Sequence, residues 1–166
     1  MKGPLLALLL GLPALAIAAS NPDASFYKNA AEGGISEVEA GQLAQDKGNS
    51  QKVKDFGAMM VKDHTAANDK LKTLASSKDI TLPTSPSAGQ MAAKAKLHVL
   101  SGDTFDKSYV KGQINAHRQT IALFRKEISA GQDADAKAFA TATLPTLREH
   151  LKAIDAIAND MGIKTK

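Results

Sequence analysis

The segment LPTLREHLKAID, residues 144–155, indicates an amphipathic helix. Its side chains Leu147, Leu151 and Ile154 recur at steps of three and four residues, the spacing that places them on one face of an α-helix. His150 falls on the same line, between Leu147 and Ile154. A helix that packs into a core therefore carries an ionisable ring on its buried side, and this ring has to be explained both as packing and as chemistry.

Two other segments repeat this combination of an apolar line and one histidine. His64 follows Met60 by four residues, and His117 follows Ile114 by three. The chain is also rich in Ala, Leu, Lys and Gln, and only 4% of its residues are aromatic. This composition favours helices. The sequence therefore predicts an all-α protein with four long helices, at about residues 23–47, 50–78, 103–130 and 133–161.

Short turns are expected to join these helices in two pairs. Gly48 and Gly131 are predicted to end their helices in the left-handed conformation that glycine tolerates. Ser50 and Asp133 are good N-caps for the helices that follow, and Asp103 is the predicted cap of the third long helix. The chain should thus contain two helical hairpins.

Residues 79–102 connect the two hairpins, and a connection of this length is unusual in a small helical domain unless it travels. Its first half is rich in proline, and its second half, residues 88–99, predicts a short extra helix. A crossover along the helices predicts a ferritin-like four-helix bundle, in which the second and third long helices are parallel. The alternative is an up-down-up-down bundle with a decorated loop. We favour the crossover.

The N-terminus has the pattern of an exported protein. Residues 1–19 combine Lys2, an apolar run and small residues before Ser20, which is typical of a secretory signal peptide. The run is too short for a membrane-spanning helix, although a retained anchor is the alternative. Residues 20–166 would then form one domain with no membrane span. We expect export, most simply to a bacterial periplasm.

The composition argues against two other classes of protein. The chain contains no cysteine, so disulfides and a lipid-modified N-terminal cysteine are excluded. The formal net charge is +4, and the basic residues are scattered rather than grouped with aromatic side chains. A nucleic-acid surface requires a concentrated basic patch. We therefore expect no nucleic-acid partner.

Counting residues from each turn places the histidines at similar heights. At about 1.5 Å per residue, Glu37, His64, His117 and His150 lie near the middle of their helices if the two turns are at opposite ends. Neutral imidazole is a common metal ligand, and a carboxylate supplies a harder oxygen beside it. The sequence predicts a buried layer that could bind a transition metal ion, with Glu39 as the alternative to Glu37. A purely structural hydrogen-bonded layer is the competing interpretation.

Asp63 and Glu149 each directly precede one of these histidines. Adjacent helical residues point about 100° apart, so these carboxylates suit orientation of a neighbouring ring better than joint ligation. Solvated charges on the flank of each helix are an equally good interpretation. Pro145 removes one helical hydrogen bond, which predicts a kink before His150.

Several motifs, taken in order, resemble a bacterial envelope family. They are E-V-E at 37–39, D-H at 63–64, G-x-x-F-D-x-x-Y at 102–109, A-H at 116–117 and L-P-x-L-x-x-H at 144–150. The resemblance covers nearly all of residues 20–166. It implies a ferritin-like helical bundle in proteins often described as exported or outer-membrane, with these motif positions: Glu37, Glu39, Asp63, His64, Asp106, Tyr109, His117, Pro145 and His150.

The resemblance implies no activity, because that family has none assigned. The chain also lacks the paired Glu-x-x-His motifs of di-iron ferritins, which makes a ferroxidase centre doubtful. Asp106 is interpreted as a charge that favours the start of its own helix. Our leading hypothesis is a non-catalytic exported bundle that binds a metal or small ligand in its His/Glu layer, in envelope homeostasis or stress. The alternatives are a metal-dependent oxidase or peroxide-scavenging enzyme, and a structural or partner-binding bundle.

Overall fold

The computed structural model describes residues 23–164, and this part of the protein is all-helical, as the sequence predicts. It contains no strand. Its five helices are α1 (Ala24–Lys47), α2 (Gln51–Ser76), α3 (Ala88–His98), α4 (Gly102–Ala130) and α5 (Ala134–Asp160). The predicted signal peptide, residues 1–19, lies outside the described residues. In the described range, no helix has both the length and the apolar character that crossing a bilayer requires.

The four long helices pack as two hairpins, α1 with α2 and α4 with α5. Helix α1 also contacts α4, and α2 contacts α5. Side chains cap the second helix of each hairpin. The Ser50 hydroxyl accepts a hydrogen bond from the backbone N–H of Val53 at 3.3 Å. The Asp133 carboxylate accepts one from the N–H of Asp135 at 3.0 Å. These caps satisfy N–H groups that have no partner inside the helix.

The turn glycines differ from the prediction. Gly48 and Gly131 have φ angles of −55° and −61°, so neither is left-handed. A side chain is excluded there for a different reason. A Cβ on Gly48 would lie 2.5 Å from the carbonyl oxygen of Ala44, and a Cβ on Gly131 would lie 2.6 Å from that of Glu127. Close approach of the backbone, rather than handedness, requires glycine at both positions.

Two aspartates show that the turns lie at opposite ends of the molecule. Asp23, just before α1, accepts hydrogen bonds from two successive backbone N–H groups of the α4–α5 turn, at 2.9 and 2.5 Å. Asp106, in the first turns of α4, accepts two from the α1–α2 turn, at 2.9 and 2.8 Å. Asp106 of the second hairpin therefore binds the turn of the first hairpin. The predicted cap Asp103 lies inside α4, whose N-cap is Ser101.

The connection between the hairpins runs from one end of the molecule to the other. On the way, α3 lies against α1 and α4. Lys94 of α3 pairs with Glu39 of α1 at 2.6 Å, and Lys47 donates to the carbonyl oxygen of His98. No residue of α3 is buried. These polar contacts with α1 therefore help to hold α3 in place. The description of this arrangement as a ferritin-like bundle stays a prediction.

The apolar core consists of two clusters along the length of the helices. The first cluster is built from the N-terminal half of α1, the C-terminal halves of α2 and α4 and the N-terminal half of α5: Phe26, Tyr27, Ala30, Ala31, Leu71, Ala75, Ile121, Phe124, Ala136, Ala140, Leu144 and Leu147. The second cluster occupies the other end: Ala44, Val53, Phe56, Met60, Phe105, Tyr109, Val110, Ile114, Ile154, Ala158 and Ile163. Polar side chains are buried in the section of the helices between them.

Candidate metal centre

Three histidines meet between the two apolar clusters. His64 comes from α2, His117 from α4 and His150 from α5, and all three are buried. Their ring centroids are 5.9 Å apart for His64 and His117, and 5.4 Å for each of the other two pairs. The three predicted histidines are thus neighbours in the structure. Phe56 of the second cluster packs against two of the rings, with centroid distances of 6.2 and 6.5 Å.

The tautomer of His117 follows from its hydrogen bond. Its Nδ1 lies 2.9 Å from the backbone carbonyl oxygen of Gln113, one helical turn earlier. A carbonyl oxygen can only accept, so Nδ1 carries the proton and donates. In the neutral ring Nε2 then carries a lone pair. This Nε2 is buried and has no hydrogen-bond partner.

His150 is oriented by a carboxylate from another helix. Its Nε2 lies 2.9 Å from Oδ2 of Asp63. The carboxylate accepts, so Nε2 donates and Nδ1 carries the lone pair, again buried and unpartnered. Burial lowers the pKa of His150, and the hydrogen bond to Asp63 opposes that shift. An imidazole that donates to a carboxylate through one nitrogen, leaving the other free, is the usual arrangement of a metal-binding histidine.

His64 of α2 completes the group of three histidines. Its Nε2 is buried without a partner. Burial lowers its pKa to about 3, with further lowering by His117 and His150. At neutral pH the ring is therefore uncharged, and an uncharged imidazole is the form that binds metals.

The nitrogens of the three rings are close enough to share one ion. One ligand atom from each histidine lies within 4.8 Å of the others. Ligand nitrogens bound to a tetrahedral zinc at 2.0–2.1 Å are about 3.3 Å apart. Small rotations of the rings would therefore close the site. Three imidazoles leave a fourth coordination position open, as in catalytic rather than structural zinc sites.

Glu37 is buried beside the histidines, but it is not one of the residues whose ligand atoms lie close enough together to share a metal ion. Burial raises the pKa of its carboxyl group, and an electrostatic interaction with His117 and a hydrogen bond from the Gln113 side chain oppose that shift. One carboxyl oxygen, Oε2, has no partner. Among the described residues, His64, His117 and His150 form the candidate ligand set, and Glu37 lies next to it.

The other predicted carboxylates lie outside the layer. Glu39 is on the surface and pairs with Lys94 of α3, so it is not a substitute for Glu37. Asp63 orients His150 from the edge of the layer, with 30% of its side chain exposed. Glu149 is exposed on α5. Helix α5 is continuous through Pro145, which is also exposed.

Residues 12–157 of the chain match the family described as "Domain of unknown function (DUF4142)". The chain belongs to the DUF4142 family. The prediction that the chain belongs to a family of unknown function is confirmed. The family description names no membrane, so the outer-membrane part of the expectation stays a prediction.

One solved structure has a similar fold to this DUF4142 member. It is the crystal structure of a "putative secreted protein DUF305 from Streptomyces coelicolor", with a TM-score of 0.73 and 14% sequence identity. The match covers 87% of this chain and 96% of that one. At this identity the likeness concerns the fold alone. Among curated proteins there is no match to the chain.

Two polar residues beside the histidines were not assigned to the layer from the sequence. Gln113 lies one turn before His117, so its position on the buried face of α4 could have been read from the spacing. Tyr109 lies one turn earlier again and was noted only as a motif position. Both are buried, and Gln113 Oε1 and the Tyr109 hydroxyl have no partner. Long polar side chains usually face solvent, so helical spacing alone does not predict that these two are buried.

Proposed function

We propose that this protein binds a late first-row transition metal ion through His64, His117 and His150. The observation that carries the proposal is that each of these buried rings keeps one ring nitrogen without a hydrogen-bond partner. A buried polar atom that lacks a partner costs about 1–3 kcal/mol. One ring nitrogen of each histidine lies within 4.8 Å of the other two, so one shared ligand would satisfy all three rings.

Neutral nitrogen donors favour a particular class of ion. Imidazole suits zinc, copper, nickel and iron, whereas magnesium and calcium prefer oxygen. Affinity of such sites rises from manganese toward copper. The Asp63–His150 hydrogen bond would hold one ring in the binding orientation. We therefore expect Zn²⁺ or Cu²⁺ to bind more tightly than Mn²⁺.

The cellular setting of the proposal is an exported, ferritin-like bundle that binds its ligand without catalysis, most simply in a periplasm. Residues 1–19 support export by their composition, and the similar fold of a protein described as secreted is consistent with it. The crossover between the hairpins supports the ferritin-like arrangement. Envelope homeostasis or stress is the corresponding role.

A purely structural layer is the main competitor, and it can be tested directly. In such a layer one water molecule could pair with the free nitrogens of all three rings. Water donates only two hydrogen bonds, so His64 would have to donate the third.

Metal-free protein should be melted with and without Zn²⁺, Cu²⁺, Fe²⁺ and Mn²⁺. An ion at 100 times its dissociation constant stabilises the fold by about 2.7 kcal/mol. For a domain of this size the midpoint should rise by about 5–11 °C.

The matched variants are His117→Gln and His98→Gln. His98 is an exposed histidine on α3, away from the layer. We expect His117→Gln to remain folded and to lose the metal-dependent rise, and His98→Gln to keep it. If no ion moves the wild-type midpoint, or if His117→Gln keeps the whole rise, the three histidines are a structural layer.

A further inference from the structure

A groove of 960 Å³ lies between α1, α3 and α4, and its lining includes Glu37 and Gln113 but none of the three histidines. The short helix α3 forms its outer wall through Gln90, Ala93 and Leu97. Its inner end is lined by Glu37 and Gln113, two polar residues that interact with His117. The groove therefore borders polar residues beside the histidine layer as well as Tyr109 of the second cluster.

The inner end of the groove is a set of hydrogen-bonding groups without partners. Glu37 Oε2, Gln113 Oε1 and the Tyr109 hydroxyl are all buried and unpartnered, and all three residues line the groove. Glu37, Gln113 and Tyr109 are each at least 93% buried, with exposed fractions of 7%, 4% and 1%. Gln113 also accepts the His117 ring hydrogen through its backbone. Gln113 is thus connected directly to a proposed metal ligand, and Glu37 and Tyr109 lie on the same groove.

Two glycines keep the groove wide. Gly33 of α1 and Gly112 of α4 line it, and a Cβ at either position would meet no atom within 4 Å. Glycine inside a helix is less favourable than alanine by about 0.8–1.0 kcal/mol. Elsewhere the packing demands glycine: a Cβ on Gly57 would lie 2.6 Å from the backbone oxygen of Gly41. At Gly33 and Gly112 no neighbouring atom requires glycine. The missing side chains at these two positions leave open space in the groove.

We propose that this groove is the entrance to the metal centre, and that Glu37, Gln113 and Tyr109 hold a small oxygen-donor ligand at the open coordination position of the ion. This inference rests on the proposed metal binding. The amide oxygen of Gln113 accepts hydrogen bonds, a carboxyl oxygen of Glu37 can do the same, and the Tyr109 hydroxyl can donate or accept. The ligand they fit carries an O–H group, as water, a hydroperoxide and a hydroxamic acid do.

The entrance can be tested without metal, because the chain has no cysteine of its own. A single cysteine is introduced as Glu37→Cys at the inner end of the groove, or as Ala140→Cys in the first cluster, where the side chain is 0% exposed. Each variant is treated with methyl methanethiosulfonate in the presence of EDTA. We expect the cysteine at 37 to react at least tenfold faster than the cysteine at 140.

Closing the groove should then protect the cysteine. Gly112→Phe in the Glu37→Cys background is expected to slow labelling at least tenfold, and Gly33→Leu provides a second closure if the first variant does not fold. Folding is checked by circular dichroism. Equal labelling of the cysteines at 37 and 140, or unchanged labelling after closure in a folded variant, overturns the entrance.

The ligand is tested with acetohydroxamic acid on protein loaded with Co²⁺, whose visible spectrum reports its coordination. The acid should change the spectrum of the wild type, and Tyr109→Phe should weaken its binding about tenfold without loss of Co²⁺. A wild-type spectrum that the acid does not change, or equal binding by Tyr109→Phe, overturns the ligand assignment. Failure of the wild type to bind Co²⁺ refutes the proposed function and this ligand with it, while the labelling result still decides the entrance.

Discussion

The two apolar clusters and the histidine layer between them bury side chains on the same helices but in opposite ways. Phe26 of the first cluster meets Phe124 and the neighbouring Phe139 edge to face, with the Phe26 and Phe124 ring centroids 5.1 Å apart. The polar side-chain atom of this cluster, the Tyr27 hydroxyl, is satisfied because it donates a hydrogen bond to Asp133 at 2.9 Å. The layer buries His64, His117 and other polar groups and leaves several of their atoms unpartnered. The fold is stabilised at its two ends, and this permits a section between them that contains unpartnered polar atoms.

The largest expected effect comes from a break in the first cluster. Phe124→Ala removes a ring that is 4% exposed, and such truncations cost about 3–5 kcal/mol. Urea unfolding should show this loss with an unchanged denaturant slope. The metal-dependent rise in midpoint should survive in the folded variant, because the ring is two helical turns from His117. Loss of metal binding together with stability would mean that cluster and layer are not separable.

The next effect concerns a residue that acts on the layer from its edge. Asp63→Asn replaces the carboxylate that accepts the hydrogen bond of His150. Loss of such a partner weakens metal binding by about 10- to 100-fold. Competition with a chelator of known affinity measures this change. The control is Asp69→Asn, an exposed aspartate on the same helix, which should bind metal as the wild type does. Equal affinities for all three proteins would remove Asp63 from the site.

A smaller effect should appear when metal-free protein is acidified. The pKa of His64 is lowered to about 3 by burial and by the other two histidines. The unfolded chain, in which a histidine titrates near 6.5, therefore binds more protons than the folded protein between these values. Stability should fall as pH drops, by about 1 kcal/mol between pH 7 and 5.5 for this one group.

The acid effect is isolated by comparison with His64→Gln. Glu37 has a raised pKa, so its contribution to stability falls with rising pH and partly masks that of His64. The difference between wild type and variant removes this shared contribution. Urea unfolding at pH 7 and 5.5 should give a smaller loss for His64→Gln, and equal losses would contradict a neutral, buried His64.

The smallest effect is a gain. Gly33→Ala should raise stability by about 0.5–1 kcal/mol, because alanine is the better helix former and its Cβ enters open space. Gly57→Ala should instead lower stability, because its Cβ would collide with the backbone of α1. Thermal melts of both variants test the contrast. A loss at Gly33 as large as that at Gly57 would mean that the groove wall is as tightly packed as the helix contact.

Much of the layer could be predicted from the sequence because helical periodicity fixes both face and height. In α2, α4 and α5 the apolar spacing places His64, His117 and His150 on the buried face of the helix. The structure brings the three rings together. Helix α1 was ambiguous, since its small residues allow two lines, and only the position of α3 shows that Glu39 faces Lys94. The groove also depends on where α3 lies, which no local pattern determines.

The turns were predicted less well for a similar physical reason. Asp106 was interpreted through its own helix, yet its carboxylate binds the backbone of the other hairpin. Residues 106 and 49 are distant in sequence, and a lone aspartate near a helix start has many local uses. Pairings of this kind follow from tertiary packing, and a single sequence does not reveal them.

The reciprocal aspartates have a consequence for folding. Each hairpin is local in sequence and could form early, but the backbone of its turn is satisfied by a carboxylate from the opposite hairpin, Asp106 for one and Asp23 for the other. Separating the hairpins would leave both turns with unpaired N–H groups at the same moment. Neither hairpin is then expected to be stable alone. The domain should unfold as one cooperative unit rather than one hairpin at a time.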